Sequence, residues 1–293
     1  MTAMHVFRAV RLAFTALVLS MLIPGQPATG HAAEPLVLAV HPYLSEPEVH
    51  ARFSPLARYL ETRTGRTVRI KVADTYDDHI RAVGEGEADI AYLGPVSYIA
   101  LVDRYGPQVM LARQADAGRP TFRGVVMTRQ DSGIKTLGDL KGKSFAFGAE
   151  ESTMSHVVPE VMLYEAGVRR QDLSAVAFVG GHKQVALSVL TGKFDAGGVK
   201  EEVFKAYDGR GLKALAYSDP VSEHLFVAGK NTNPSLQKAL KEALLASHTD
   251  EAGRAALTEI KGTLTGFVMV GDKNYDMLRR IMGAYSIIKE KAK

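Results

Sequence analysis

Residues 150–163 read EESTMSHVVPEVML. Three hydroxyls (Ser152, Thr153, Ser155) and a histidine (His156) stand directly before an apolar pattern with helical spacing. The strand-like SFAFG lies just upstream. The first turn of a helix carries N–H groups with no acceptor inside the helix, and a partial positive charge. Hydroxyls placed there have two uses. They cap the helix by accepting from its own N–H groups, or they join those groups in offering donors to an oxyanion. No Lys or Arg is needed, because several neutral donors that converge in a partly dry cleft hold an anion. The motif alone leaves both uses open, and Pro159 suits the first turn under either.

Further candidates follow from their places in the chain. His182, in GGHKQ, sits at a strand-to-helix turn where a side chain can face a cleft. Tyr43 follows the first strand pattern and Tyr98 the third. Both lie at strand ends, where open α/β sheets bind ligands, and each offers a hydroxyl and an apolar face. Tyr92 lies within a strand pattern and reads as core. Glu201 and Glu202 follow DAGGV, and Glu223 precedes HLFVAGKN. Three acids near an anion repel it, so at most two can face it unless a cation joins them.

The same residues exclude other chemistries. The chain has no Cys, which removes disulfides, thiolate metal sites and cysteine nucleophiles, and no Trp, which leaves ligand stacking to Tyr and Phe. It contains no G-x-S-x-G elbow, Walker loop or G-x-G-x-x-G. His41, His50 and His79 are not spaced as a metal set with a nearby acid. No cofactor and no metal are expected, and a hydrolase is only a distant alternative. Basic residues are scattered and paired with acids, unlike a nucleic-acid footprint.

The N-terminus has the layout of a secretory signal peptide: Arg8 and Arg11 without acids, the apolar run LAFTALVLSMLI, then small residues. Residues 1–33 are expected to be removed, with cleavage after Ala32 or Ala33. Losing the two arginines lowers the formal charge from +4 to +2. The mature protein is expected to be exported to the periplasm.

Two α/β units follow. PLVLAV, RTVRIKVA and ADIAYLG read as strands separated by helices, which favours a largely parallel sheet. A second series runs through GVVMTRQ, SFAFG, LSAVAFVG, FDAGGV and LKALAYS. Two segments echo each other: DDHIRAVGEGEADIAYLGPVSYIA and GHKQVALSVLTGKFDAGGVKEEVF. Each has a helix with an early His, a glycine turn, an acid (Asp89, Asp195), a short strand and a new helix. The expectation is two lobes, 34–124 with 226–293 and 125–225, crossed near Phe122–Thr128 and Glu223–Gly229, with a ligand cleft between them. NPSLQKALKEALLASHTDEAGRAALTEI and NYDMLRRIMGAYSIIKEKAK read as helical.

At this point GPVSYIA, TLGDLKGKSFAFG, ESTMSHVVP and GHKQVALSVLTGKFDAGGV, in that order, resemble the PhnD-like periplasmic phosphate-, phosphite- and phosphonate-binding proteins of ABC transporters. The resemblance covers nearly the whole mature chain. It implies a type II periplasmic-binding fold: α/β, two lobes, a two-strand hinge and a ligand held in the cleft. Ser152 and Thr153 match the family's Ser-Thr-Ser-Gly motif. Met154 stands in place of its third hydroxyl, and Ser155 in place of its glycine. His182 matches the histidine that contacts the anion, and Tyr98 the tyrosine of Gly-Pro-x-x-Tyr. His156 has no counterpart and either adds a donor or faces solvent. Glu201 and Glu223 correspond loosely to the acids that pair with a ligand's amino group. The implied partners are a small oxyanion and an ABC permease. The alternative is a membrane sensor kinase, with a phosphorus, arsenic or sulfur oxyanion as the signal. A monomer is expected.

Overall fold

The computed structural model describes residues 34–291; the expected signal peptide lies outside the described residues. The chain opens with three parallel strands, β1 (Leu36–Val40), β2 (Val68–Val72) and β3 (Ile90–Leu93). Between them run α1 (Glu46–Thr64) and α2 (Tyr76–Glu85), and α3 (Pro95–Tyr105) follows. Leu36, Leu38, Val40, Ile90 and Leu93 are fully buried, as strands covered on both faces require. Each of the first two helices ends at a glycine in the left-handed conformation, Gly65 and Gly86, which closes the helix without a Cβ penalty.

The chain then forms β4 (Met110–Asp116), β5 (Thr121–Phe122) and β6 (Gly124–Arg129). A second parallel set follows: β7 (Ser144–Phe147), β8 (Ala175–Phe178) and β9 (Ala196–Lys200). Helix α4 (Val158–Glu165) joins β7 to β8, α5 (His182–Leu190) joins β8 to β9, and α6 (Glu201–Lys205) follows β9. Strands β10 (Leu212–Tyr217), β11 (Val221–Ser222) and β12 (Leu225–Ala228) return. The chain finishes with α7 (Pro234–Ala246), α8 (Glu251–Ile260), β13 (Leu264–Val268) and α9 (Asp276–Lys291).

These strands form a six-stranded sheet in the order β13-β4-β12-β3-β1-β2, a five-stranded sheet β10-β6-β9-β7-β8, and the two-stranded pair β11-β5. The architecture is thus a two-lobe α/β fold with two mixed sheets. Each parallel set has its first strand in the middle, flanked by its second and third, so the echo in the sequence is an echo in topology. Its acids share one task. Asp89 Oδ2 accepts from the Val37 N–H (2.8 Å), and Asp195 Oδ2 accepts from the N–H and hydroxyl of Ser144 (2.9 and 2.8 Å). Each carboxylate, just before the third strand of its set, thereby ties down the start of the first.

The chain changes sheets within residues 117–123 and 218–224, where β5 and β11 pair antiparallel. An apolar cluster spans this region. Met154, Val157 and Val158 pack with Tyr98, Val221, Tyr275 and Leu278. The glycines of DAGGV permit close packing on both faces of β9. A Cβ on Gly197 falls 2.7 Å from the Val185 side chain of α5, and one on Gly198 falls 2.4 Å from Pro159 of α4. Between the two segments read as helical, in a stretch the sequence left without an element, lies β13. This short edge strand, LTGFV, shows too little alternation to stand out beside α8 and α9.

Candidate functional site

The carboxyl ends of the parallel strands open onto one cavity of about 880 Å³. From the six-stranded side come Tyr43 after β1 and the Gly94–Ser97 turn after β3. From the five-stranded side come Ser152–Ser155 after β7, His182 after β8, and Glu201 and Glu202 after β9. Crevices at strand carboxyl ends are where α/β sheets take ligands.

The turn that carries the hydroxyls is a π-turn, Thr153–Val157, running into α4, rather than the start of a regular helix. The Ser152 carbonyl accepts from both His156 N–H (3.2 Å) and Val157 N–H (3.1 Å). Ser152 Oγ accepts twice, from the Ser155 N–H (3.3 Å) and the Ser155 hydroxyl (2.6 Å). Capping therefore consumes the acceptor capacity of Ser152 and leaves its O–H proton free to donate. Thr153 Oγ1 likewise accepts, at 3.4 Å, from the Val96 N–H across the cleft, which leaves its own proton available. A hydroxyl loaded with acceptor bonds is polarised into a better donor. Helix geometry adds the N–H groups of Thr153 and Met154. Capping and donation thus coexist in the same atoms.

His182 completes this array. Its Nδ1 accepts from the Lys200 N–H (3.2 Å), so the neutral ring carries its proton on Nε2. Burial, then the charge of Lys200 and the neighbouring His224, lower its pKa to about 3. The ring is a neutral donor at any ordinary pH.

Ser155 and Met154 occupy the two positions where the hydroxyl motif departs from the family pattern. The Ser155 hydroxyl is spent on Ser152, and its carbonyl accepts from the Gly148 N–H (2.8 Å). Met154 is 1% exposed and lies in the apolar cluster beneath the turn, its Sδ 3.2 Å from where a Cβ on Gly124 would stand.

Two expected site residues lie elsewhere. Tyr98 is 1% exposed, packs on Tyr275 at 4.7 Å between ring centroids, and donates to Asp272 Oδ1 (2.7 Å). Because α3 begins at Pro95, Ser97 lies on the cleft side, and Tyr98, one residue on and about 100° round the helix, faces the core. His156 is buried behind the turn. Its Nδ1 meets the Glu150 carbonyl and its Nε2 the Glu160 carboxylate (2.8 Å), which Arg170 grips from outside through two nitrogens. It braces the turn and does not line the cavity.

Five carboxylates line the cavity, and four of them, Asp116, Glu201, Glu202 and Glu223, are held by the protein's own groups. Glu201 pairs with Arg123 (3.3 Å) and Lys205 (3.0 Å). Glu202 pairs with Lys200 (3.2 Å) and with Lys261 (2.6 Å), which reaches from the other lobe and also holds Asp116. Burial pulls the Lys261 ammonium down, but these two carboxylates outweigh it and leave its pKa raised. Glu223 is 2% exposed. Burial pushes its carboxyl up, and the hydrogen bond from His224 Nδ1 (2.9 Å) together with nearby charge brings it below the ordinary value. Arg52 and Arg119 also line the cavity, without an ion pair among the described residues. Of the five carboxylates, Glu151, an exposed residue beside Ser152, is the one without an ion pair among the described residues.

Other cavity residues carry no local sequence signal. His41, Tyr76, Gln114, Phe122 and His224 all line the space, and so does Tyr92, which the sequence assigned to the core. Gln114 and Asp116 lie on β4, a strand whose alternation MLARQAD is broken by polar residues facing inward.

The fold and cleft are those of a two-lobe solute-binding protein. At TM-score 0.75, the chain superposes on XAC2383 from Xanthomonas citri bound to ATP (18% identity, covering 88% of this chain and 99% of that one). At TM-score 0.74, it superposes on PhnD1 from Prochlorococcus marinus in complex with methylphosphonate (19% identity, covering 84% and 96%). A phosphate-import protein, PhnD, of Mycolicibacterium smegmatis is 28% identical over 274 residues, 85% of each chain. Residues 38–275 match the family model described as ABC transporter, phosphonate, periplasmic substrate-binding protein, and the chain belongs to this family. It is the non-enzymatic binding component of a transporter.

Two predictions arise from this geometry. A Cβ on Gly148 would stand 2.0 Å from Ser155 Oγ and 2.9 Å from the Gly180 carbonyl oxygen. Gly148→Ala is expected to destabilise the protein by roughly 1–3 kcal/mol through overpacking and to disorder the hydroxyl turn, read by urea unfolding and amide exchange. Acid should also destabilise the protein before its carboxylates titrate. Burial lowers the pKa of His79 to about 4 and that of His41 well below 6.5, and His182 shifts the same way. The unfolded chain binds protons at these positions below pH 6.5 and the folded chain does not, so stability falls as pH drops from about 6.5 toward 4. Thermal melts across that window should show the decline, and His79→Gln should make it shallower. A flat profile would contradict the neutral-histidine assignment.

Proposed function

We propose that this protein captures a small phosphorus oxyanion between its lobes and delivers it to the permease of an ABC importer. The carrying observation is the donor array itself. The O–H groups of Ser152 and Thr153 and the Nε2–H of His182 have their acceptor atoms occupied by protein and their protons available. Such an array suits tetrahedral oxygens and offers nothing to a cation. The names of the relatives, a phosphate-import protein and a complex with methylphosphonate, support the same ligand class. In this reading the protein works as an exported monomer after loss of its signal peptide.

Residues 34–124 with 226–291 form one lobe and 125–225 the other, moving about the β5–β11 pair. Two contacts support closure around a ligand: Val96 N–H to Thr153, and Lys261 to Glu202. Both join groups that an opened cleft would part. A ligand that touches both lobes favours the closed arrangement.

Calorimetry with phosphate, phosphite, methylphosphonate and sulfate tests the assignment. At least one phosphorus oxyanion should bind, and Ser152→Ala with Thr153→Ala should weaken it by about a hundredfold, two charge-assisted hydrogen bonds being lost. Silence from every phosphorus oxyanion would reject the reading. Closure has a separate test. Lys261→Ala should raise the ligand-free radius of gyration in small-angle scattering, and a saturating ligand should reduce it again. Identical profiles for both proteins would remove Lys261 as a latch.

A further inference from the structure

The donor array uses only a small part of a cavity of about 880 Å³. That volume belongs to the range of sites for whole organic molecules; a bare tetrahedral anion would leave most of it unfilled. The opposing wall, in the lobe of the six-stranded sheet, is built of rings. The His41 imidazole lies 5.0 Å from Tyr43, 5.4 Å from Tyr76, 5.5 Å from Tyr92 and 5.4 Å from His224, between centroids. Tyr92 stacks on His224 at 14°, and Phe122 lies 5.6 Å from His224. All six line the cavity. They come from the end of β1, α2, β3, β5 and the segment after β11, so no single local motif produces them.

This box adjoins the donor array. Val96, whose N–H meets Thr153, lies two residues beyond Gly94, whose N–H donates to His41 Nδ1 (2.9 Å). Two residues of chain span about 7 Å at most. The Gly94 bond also fixes the imidazole: with Nδ1 accepting, the neutral ring's proton is on Nε2. His41 is 2% exposed, and its Nε2 has no hydrogen-bond partner among the described residues. A buried donor without an acceptor is costly and calls for one. Four of the cavity's five carboxylates already hold a cation or a histidine, which leaves Glu151 as the one open to a ligand's ammonium group.

We propose that the ligand is an organic oxyanion, a phosphonate or phosphate ester with a planar substituent. The planar group lies against the half-buried rings of Tyr43, Tyr76, Phe122 and His224, and an acceptor atom on it meets His41 Nε2–H. This rests on the oxyanion reading above and narrows it. Rings at this spacing favour a flat partner, offset-stacked or edge-on.

Calorimetric titration of the protein with methylphosphonate, phenylphosphonate, pyridin-4-ylphosphonate and 2-aminoethylphosphonate tests it. Phenylphosphonate should bind at least about tenfold more tightly than methylphosphonate, and the pyridyl compound more tightly again. His41→Phe should erase the pyridyl advantage over phenyl. Should that variant fail to fold, Tyr76→Leu, on a half-buried part of the wall, should erase the phenyl advantage over methyl. Methylphosphonate binding as well as or better than phenylphosphonate would overturn the proposal and leave the oxyanion reading intact. Tightest binding of 2-aminoethylphosphonate would overturn it in favour of an ammonium pocket. Binding by none of the four would overturn the oxyanion reading and this proposal with it.

Discussion

Carboxylates in a cleft repel an anion unless they are paired, and five line this cleft. Their neutralisation is the constraint on which the rest of the site depends. Glu201, Glu202, Asp116 and Glu223 are each held by a partner from the protein. At effective dielectric constants near 20, two unit charges 4 Å apart interact by about 4 kcal/mol. Glu151, beside the Ser152–Thr153 turn, is the lining carboxylate without an ion pair among the described residues, and because it is exposed, solvent and salt damp its repulsion. One of these pairs, Lys261 with Glu202, also crosses between lobes, so the group that quiets a carboxylate helps hold the two walls together.

The lobes look like two solutions to one folding problem. Both place a central strand between its two successors, and both anchor that strand's start with an aspartate from the turn before the third strand. Both then send side chains into the cleft from the loops after those strands. The contents differ. One lobe contributes rings and imidazoles; the other contributes hydroxyls, a histidine donor and paired charges. A shared scaffold with unlike linings lets a single cleft recognise the two ends of a molecule by different chemistry.

Much of this was legible in the sequence, and the failures have physical causes. Parallel strands buried on both faces read as apolar runs, and the Asp89 and Asp195 segments announced the repeated unit. The hydroxyl turn was legible because its atoms are neighbours in the chain. Tyr98 misled because one residue on a helix is about 100° of rotation, which sequence spacing fixes only once the helix start is known. His156 looked like a donor in the same turn, and only the fold shows Glu160 and Arg170 claiming it. The box around His41 was invisible, since its rings come from five separate segments that only the tertiary structure brings together. Strands β4 and β13 were missed for a related reason: polar residues that face a cavity, and a short strand at a sheet edge, both blur the pattern that marks a strand.

The neutrality of the hydroxyl turn has a consequence for the setting in which such a protein works. Ser152, Thr153 and His182 present protons without full charges. Dissolved ions weaken attraction between charges over a Debye length of about 10 Å at 0.1 M salt, but they do little to short hydrogen bonds from uncharged donors in a partly dry cleft. A compartment open to the surroundings meets wide swings in salinity. A grip built from neutral donors would keep its strength through them, where a cluster of lysines would tighten and slacken with every change in the medium.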